Sequence, residues 1–341
     1  SSGNTWTPMF RNANQVIDIN FGQRAFDNLP TGYKALNTYK LPTPLIADPS
    51  KYFDVATDTG ANILSAATGL TDGADFVWIK DRDNSSTNHI LFNRINDSGM
   101  DGTPHLRSNE SDSESTCGTY SAPSGNSVGW VWNAGSSTVS NTDGTITSSV
   151  RANTTAGFSI VSYTGEGTSG DSIGTGLNAA PSFVLIKNRD ENDGWAAMHT
   201  GAGLSGDNIV NTSVAEYYML YLNENNARAN WTGDVVAPNG SDKLTLGSGG
   251  MVNTDTEAYI ALCWSEISGF SKFGSYDGGS SAFIWCGFKP KYLLIKCSST
   301  AGQEWIILDS ARSPINVVDD ALYTENANDE ATDSTRDVDF L

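Results

Sequence analysis

The sequence predicts an all-β protein of tandem antiparallel β-sandwich modules, and three observations predict it. An apolar segment that runs into a lysine and a polar turn occurs three times: Asp75–Asp83 (DFVWIKDRD), Ser182–Asp190 (SFVLIKNRD) and Lys291–Ser299 (KYLLIKCSS). Its consecutive apolar residues suit strands buried on both faces. Charged residues are only 17% of the chain, and polarity falls instead to Ser, Thr, Asn and 34 Gly, which favour turns and strands over helix interiors. Sustained helical periodicity is nearly absent. Only Ser213–Leu222, with Ala215, Glu216, Met219 and Leu220, offers a competing short helix.

The repeat can be followed in order. The lysines Lys80, Lys187 and Lys296 recur with a period of roughly 110 residues, so self-similarity organises the chain. Upstream of each lies a strand-like flank: Tyr52–Gly60, Gly157–Gly165 and Gly269–Gly278. A Gly-Leu or Gly-Phe pair precedes each apolar strand, at Gly69-Leu70, Gly176-Leu177 and Gly287-Phe288. Downstream come His89–Arg94 (HILFNR), Trp195–Thr200 (WAAMHT) and Trp305–Ser310 (WIILDS). Two repeats close with Trp-bearing strands, Val128–Trp132 and Tyr259–Trp264. Short strands separated by Asp- and Gly-rich turns read as sandwiches, not βαβ units. In the second module, Val184, Ile186, Tyr259 and Ala261 are expected to face the core.

These landmarks divide the chain. Residues 49–134 are expected to form a first, shortened sandwich, 157–267 the second and 268–341 the third. The stretch 135–156, poor in large apolar residues and carrying an Asp143-Gly144 turn, reads as a linker with an edge strand at Thr145–Val150. Three prolines between Pro42 and Pro49 exclude a central strand and mark the boundary with residues 1–48.

The formal net charge of −19 repels phosphate backbones and anionic membranes, so neither nucleic acid nor membrane insertion is expected. The longest apolar run, Ala258–Trp264, is too short to span a bilayer. The acidity reads either as a solvated surface or as loop carboxylates that bind calcium. Cys117, Cys263, Cys286 and Cys297 form no CxxC pair, so no zinc site is expected. Cys263 and Cys286 sit in apolar runs and are expected to be buried thiols.

Several short patterns touch on chemistry. Gly125–Gly129 matches a GxSxG nucleophile elbow around Ser127, but a strand follows it where a helix is required. Gly201, Gly203 and Gly206 form a GxGxxG outside any βαβ context. Glu110, Asp112 and Glu114 alternate as paired glycosidase carboxylates do, yet stand in a soft polar segment expected to be a solvated loop. Asn188, Asp190, Asn192 and Asp193 bring oxygen density suited to calcium, without the full calcium-loop register; a turn is the competing reading. No catalytic residue and no cofactor other than possible calcium is assigned.

The run AGSSTVSNTDGTITSSVRANTTAGFSIVSYTG (134–165), the downstream GLNAAPSFVLIKNRD, and the later ISGFSKFGSYDG, GFKPKYLLIK and NVVDD resemble a family of marine bacteriophage tail-fibre and virion-associated repeat proteins. The resemblance covers most of residues 50–341. Val16–Phe26 with the following GYKALNTYKLPTPLI resembles the end of a SPRY-type domain. The resemblance implies lectin-like, jelly-roll modules on the virus particle, assembled in the host cytoplasm as a homotrimer. The implied partners are copies of the chain itself, other virion proteins and host surface polysaccharide. The competing expectation is a secreted carbohydrate-binding module or a glycoside hydrolase or lyase.

The repeats are unequal. Lys80 to Trp132 is shorter than Lys187 to Trp264, so the first module is expected to lack a strand pair or loop. The third has no counterpart of Tyr259–Trp264. This predicts an unpaired sheet edge, completed by further residues of a longer polypeptide or by a strand from a neighbouring subunit.

Overall fold

Burial of both faces of the central strands explains the architecture. A computed structural model of the chain describes residues 44–341 apart from 201–209, 212–215, 231–232, 235, 241, 280–281 and 333–337. In the first repeat, β1 (Phe53–Thr59), β2 (Phe76–Asp81), β3 (Ile90–Asn93) and β4 (Asn126–Trp132) form an antiparallel sheet in the order β1-β4-β2-β3. In the second, the strands are β5 (Thr138–Asn141), β6 (Ser148–Asn153), β7 (Phe158–Thr164), β8 (Ser172–Gly174), β9 (Phe183–Asn188), β10 (Trp195–His199), β11 (Val210–Asn211), β12 (Glu216–Tyr221), β13 (Ala229–Asn230), β14 (Val236–Asn239), β15 (Lys243–Leu246) and β16 (Ala258–Trp264). Its main sheet contains β10-β9-β16-β7, the same order as β3-β2-β4-β1. The third repeat holds β17 (Tyr292–Lys296), β18 (Trp305–Asp309), β19 (Asp320–Tyr323) and β20 (Ala331–Thr332), in that order. The two closing strands are thus β4 and β16, each hydrogen-bonded on both sides.

The second repeat is a sandwich. The sheet β14-β15-β8 packs over the main sheet, and Ile173, Val236, Leu244 and Leu246 meet Val184, Ile186, Tyr259 and Ala261 in one buried cluster. The four residues expected to face this core do so. In the first repeat, a short helical segment takes the place of that second layer. Ile63 of α1 (Ile63–Ala66), with Ala67, Leu70 and Met100, covers Val77, Ile79 and Val131. This is how the shortened module closes one face without counterparts of β14 and β15.

The opposite faces of all three sheets meet in a single core. Phe76, Trp78, Trp130 and Trp132 of the first repeat, Phe158, Phe183, Leu185 and Trp264 of the second, and Trp305, Ile307 and Leu322 of the third belong to one buried cluster. The period-2 alternation along β16 serves both cores: Ile260, Leu262 and Trp264 point to the shared one, Tyr259, Ala261 and Cys263 into the sandwich. Residues 45–341 accordingly form one compact unit.

Two segments differ from expectation. The edge strand expected at Thr145–Val150 is found as β6, but residues 135–156 are no linker otherwise: β5 lies there too, and the two extend the main sheet beyond β7 with β5 as its edge. The flank Gly269–Gly278 forms no strand among its described residues, although its counterparts are β1 and β7. Of the competing helix, Glu216–Tyr221 is strand β12. No helix among the described residues is long and apolar enough to cross a membrane.

Candidate functional site

Each repeat grips the next through the same set of bonds. The residues that open β3, β10 and β18 are preceded or led by His89, Trp195 and Trp305. His89 Nε2 lies 2.9 Å from Tyr323 O, Trp195 Nε1 donates to Arg107 O at 2.8 Å, and Trp305 Nε1 donates to Tyr221 O at 2.8 Å. The first repeat therefore contacts the third, the second the first, and the third the second, which closes a ring.

Two further sets of contacts obey the same cycle. Glu330 N donates to Arg82 O, Glu114 N to Arg189 O, and Arg228 N to Ser298 O. Arg82 and Glu330 add a two-pronged ion pair at 2.6 and 2.9 Å, and Arg189 and Glu114 another at 2.7 and 2.8 Å. Ser108 Oγ donates to Thr324 O, and Thr324 Oγ1 to Leu222 O. Within each repeat the ring residue is steadied at its backbone: His89 N donates to Asn109 Oδ1, Trp195 N to Asn223 Oδ1, and Trp305 N to the carboxylate of Glu325.

The buried charges serve this framework. Lys80 Nζ donates to the carbonyls of Asp81 and Asn84, and Lys187 Nζ to those of Asn188 and Glu191. Each ammonium thus caps the turn that follows its strand. Burial lowers both lysines to about 8. Asp309 and Arg312 are fully buried and paired at 2.6 Å. Trp130 Nε1 donates to the same carboxylate at 3.1 Å, and Arg312 Nη1 reaches Glu330. Asp75, also buried, pairs with Arg94 and Arg151 and accepts from the Ala134 amide. It ties the first repeat to β6 of the second.

The sequence candidates fall into this picture individually. Ser127 is buried on β4 and its hydroxyl donates to Gly125 O. Glu110, Asp112 and Glu114 do not form a carboxylate cluster: Asp112 pairs with Arg107, Glu114 with Arg189, and Glu110 accepts from Asn109. The expected solvated loop is instead a structured inter-repeat contact, because Arg189 neutralises Glu114 at the seam. Among the calcium candidates, Asn188 Oδ1 accepts from the amides of Asp190 and Glu191, Asp190 from the amide of Ala258, Asn192 from Ser113 N, and Asp193 from Gly194 N. Their oxygens are engaged as turn and seam acceptors. No group of three or more His, Cys, Asp or Glu side chains that could hold a metal occurs among the described residues. Gly201, Gly203 and Gly206 lie outside the described residues, as does the segment resembling the end of a SPRY-type domain. All four cysteines are free; Cys263 is buried as expected, but Cys286 is only partly covered, since its segment packs into no sheet.

The family follows from comparison with known proteins. The chain belongs to the family described as Domain of unknown function (DUF7483), whose model matches residues 48–341. No curated protein and no solved structure matches it. The matched span of this DUF7483 chain includes the whole ring.

Within the DUF7483 unit, one surface breaks the pattern of the repeats. Among the described residues β17 has a strand partner on one side only, and each of its five residues keeps partial solvent exposure, whereas every residue of β2 and β9 is buried. Beside it in sequence, Phe283 and Trp285 are each 76% exposed and Ile284 51%. Trp285, Glu266, Ser271 and Lys272 line a shallow cleft. Sequence reading located the missing strand from the unequal repeats. It could not find the ring, whose acceptors are backbone carbonyls.

Proposed function

We propose that the chain is a structural protein of a bacteriophage particle: a tail fibre, spike or particle-decorating adhesin that forms a homotrimer and contacts host surface glycans. The observation that carries this reading is the closed ring, in which three repeats share one apolar core and their cross-repeat polar bonds recur in cyclic order. Repeats joined through one core suit a load-bearing particle component. The resemblance of residues 50–341 to phage tail-fibre and virion-associated repeat proteins supports the same reading, and closed symmetric oligomers are the common form of such assemblies. Gold-labelled antibody against the purified chain, imaged on intact phage particles by electron microscopy, tests it. Labelling at the tail or capsid surface is expected. Particles that carry no label while the chain is found free in the medium overturn it.

One observation favours a second reading, a secreted carbohydrate-binding module. Trp285 is exposed beside the Glu266–Lys272 pair, which are joined at 2.8 Å, and an indole face flanked by polar groups suits stacking on a sugar ring. Glycan-array binding that Trp285→Ala abolishes, together with absence from particles, selects that reading.

A further inference from the structure

We infer that the free edge of β17 is a docking edge for an extended apolar segment of a partner protein, which adds as an antiparallel strand in the place that β4 and β16 hold in the other two repeats. This goes beyond the virion reading and does not depend on it.

The sister repeats define the occupant. In the first, β4 lies against β2 with Trp132 opposite Phe76, Trp130 opposite Trp78, Gly129 opposite Ile79 and Val128 opposite Lys80. In the second, β16 lies against β9 with Trp264 opposite Phe183, Leu262 opposite Leu185, Ala261 opposite Ile186 and Ile260 opposite Lys187. The same register on β17 places a Trp opposite Tyr292, a large apolar residue opposite Leu294, a Gly or Ala opposite Ile295 and a β-branched residue opposite Lys296. Tyr292 already packs against Phe53, Trp130 and Trp132, the aromatic surroundings that a further Trp would join. Main-chain bonds to the open edge would supply affinity, and this alternating set of side chains would supply specificity.

A second exposed segment points the same way. Gly287 and Gly176 both have positive φ, at 83° and 68°, and each stands just before its repeat's apolar strand. Counting back equally from these glycines places Ile284 at the position of Ile173. Ile173 is fully buried on β8 beneath β15, whereas Ile284 is 51% exposed between Phe283 and Trp285. The third repeat therefore leaves uncovered both the strand edge and the apolar segment that the second repeat covers with its own chain. Among the described residues a second copy has no spare strand of this type to give, because β4 is bonded on both sides by β1 and β2, and β16 by β7 and β9.

The test uses the full 341-residue chain and a synthetic peptide with the sequence of residues 257–265 (EAYIALCWS), read by amide hydrogen exchange and by sedimentation. In the chain alone, the outward-facing amides of β17 are expected to exchange much faster than those of β9. Saturating peptide is expected to slow them by about tenfold or more and leave β9 unchanged. A peptide carrying Lys in place of the residue equivalent to Ala261 is expected to give no protection, since that side chain must sit against Ile295. Three results overturn the inference: β17 amides as protected as those of β9 in the chain alone; no protection at saturating peptide; or protection that appears only as the chain dimerises, which makes a second copy the occupant.

Discussion

His89 Nε2 lies 2.9 Å from the carbonyl oxygen of Tyr323, and the two residues close the ring between the first repeat and the third. The other nitrogen, Nδ1, accepts from the indole of Trp78 at 2.8 Å. Indole nitrogen can only donate, so Nδ1 carries no proton, and the neutral ring places its proton on Nε2, where it donates to Tyr323 O. One histidine thereby does the bonding that an indole does in the other two repeats, and also satisfies a buried tryptophan.

His89→Phe should therefore destabilise the protein beyond its loss of polarity. It removes the acceptor of the Trp78 N–H and the His89 donor to the Tyr323 carbonyl, at a cost of about 2–4 kcal/mol in a urea titration at pH 7. Burial, aided by the charge of Lys80, lowers His89 to about 3, against an ordinary value of 6.5. Between these values the unfolded chain binds the extra proton, so stability present above about 6.5 is lost as pH falls toward 3. The acid-dependent part of the stability curve should be shallower in His89→Phe than in the parent.

Glu325 should act in the opposite sense. It stands where the other repeats have Asn109 and Asn223, and accepts from Trp305 N. Burial raises it from 4.5 to about 7, with Glu304 adding to the rise, against the opposing Trp305 amide and Lys296. The folded state holds more protons than the unfolded between these values, so stability falls as pH rises through them. Glu325→Asn restores the side chain of the sister repeats and is expected to stabilise the protein by about 1–3 kcal/mol at pH 8, with little gain at pH 4. Thermal melts of both proteins at the two pH values measure the difference.

The strands of the buried core were legible because their signal is local. FVWIK, FVLIK and YLLIK name β2, β9 and β17 directly, and unequal spacing exposed the unpaired edge of β17. Strand β6 was legible only as an edge strand at Thr145–Val150, and β5 was hidden, for the opposite reason. Their residues are mainly Ser, Thr and Asn, with Val139 exposed at the sheet edge and Val150 the main apolar anchor, so composition resembles a linker. The ring left almost no trace because a carbonyl such as Arg107 O has no residue type. Only the equivalence of His89, Trp195 and Trp305 carried a hint, and it needs the fold to be read.

Gly129 should not tolerate a side chain, although its counterpart in the second repeat is Ala261. A Cβ at Gly129 would collide with the Ile63 side chain, which covers the sheet there in place of a second layer. Gly129→Ala is expected to cost about 1–3 kcal/mol through overpacking. Ile63→Ala creates a cavity of its own, but in the double variant the two defects offset one another. A double-mutant cycle by chemical denaturation should give a favourable coupling, not additive losses.

Two ion pairs, the cross-repeat Arg189–Glu114 and the intra-repeat Asp309–Arg312, should differ sharply in weight. Arg189–Glu114 is partly exposed, at 20% and 14% of the side-chain surfaces, so solvent screens it, and Arg189→Ala should cost only about 1 kcal/mol or less. Asp309 and Arg312 are both fully buried. Asp309→Ala strands the Arg312 guanidinium and the Trp130 indole N–H, and about 3–5 kcal/mol is expected, since a buried charge loses its partner. Urea midpoints at equal protein concentration compare the two. Near-equal losses would show that burial does not set the weight of these pairs.

Thiol chemistry offers a reading of the third repeat in the native state. Burial pushes Cys263 up to about 12 and Cys117 up to about 11, so neither presents a thiolate near neutrality. At Cys297, just past β17, the slight burial that would raise the thiol is outweighed by the amides of Ser299 and Thr300, and the net shift is downward. Cys297 is also exposed. A chromogenic disulfide reagent at pH 7.5 should label Cys297 first and Cys286 second, and reach Cys117 and Cys263 only after denaturation. Peptide mapping by mass spectrometry reads the order. Occupation of the β17 edge covers residues next to Cys297 and adds nothing over the buried Cys117 and Cys263, so saturating strand peptide should slow labelling at Cys297 while those two stay as inert as before.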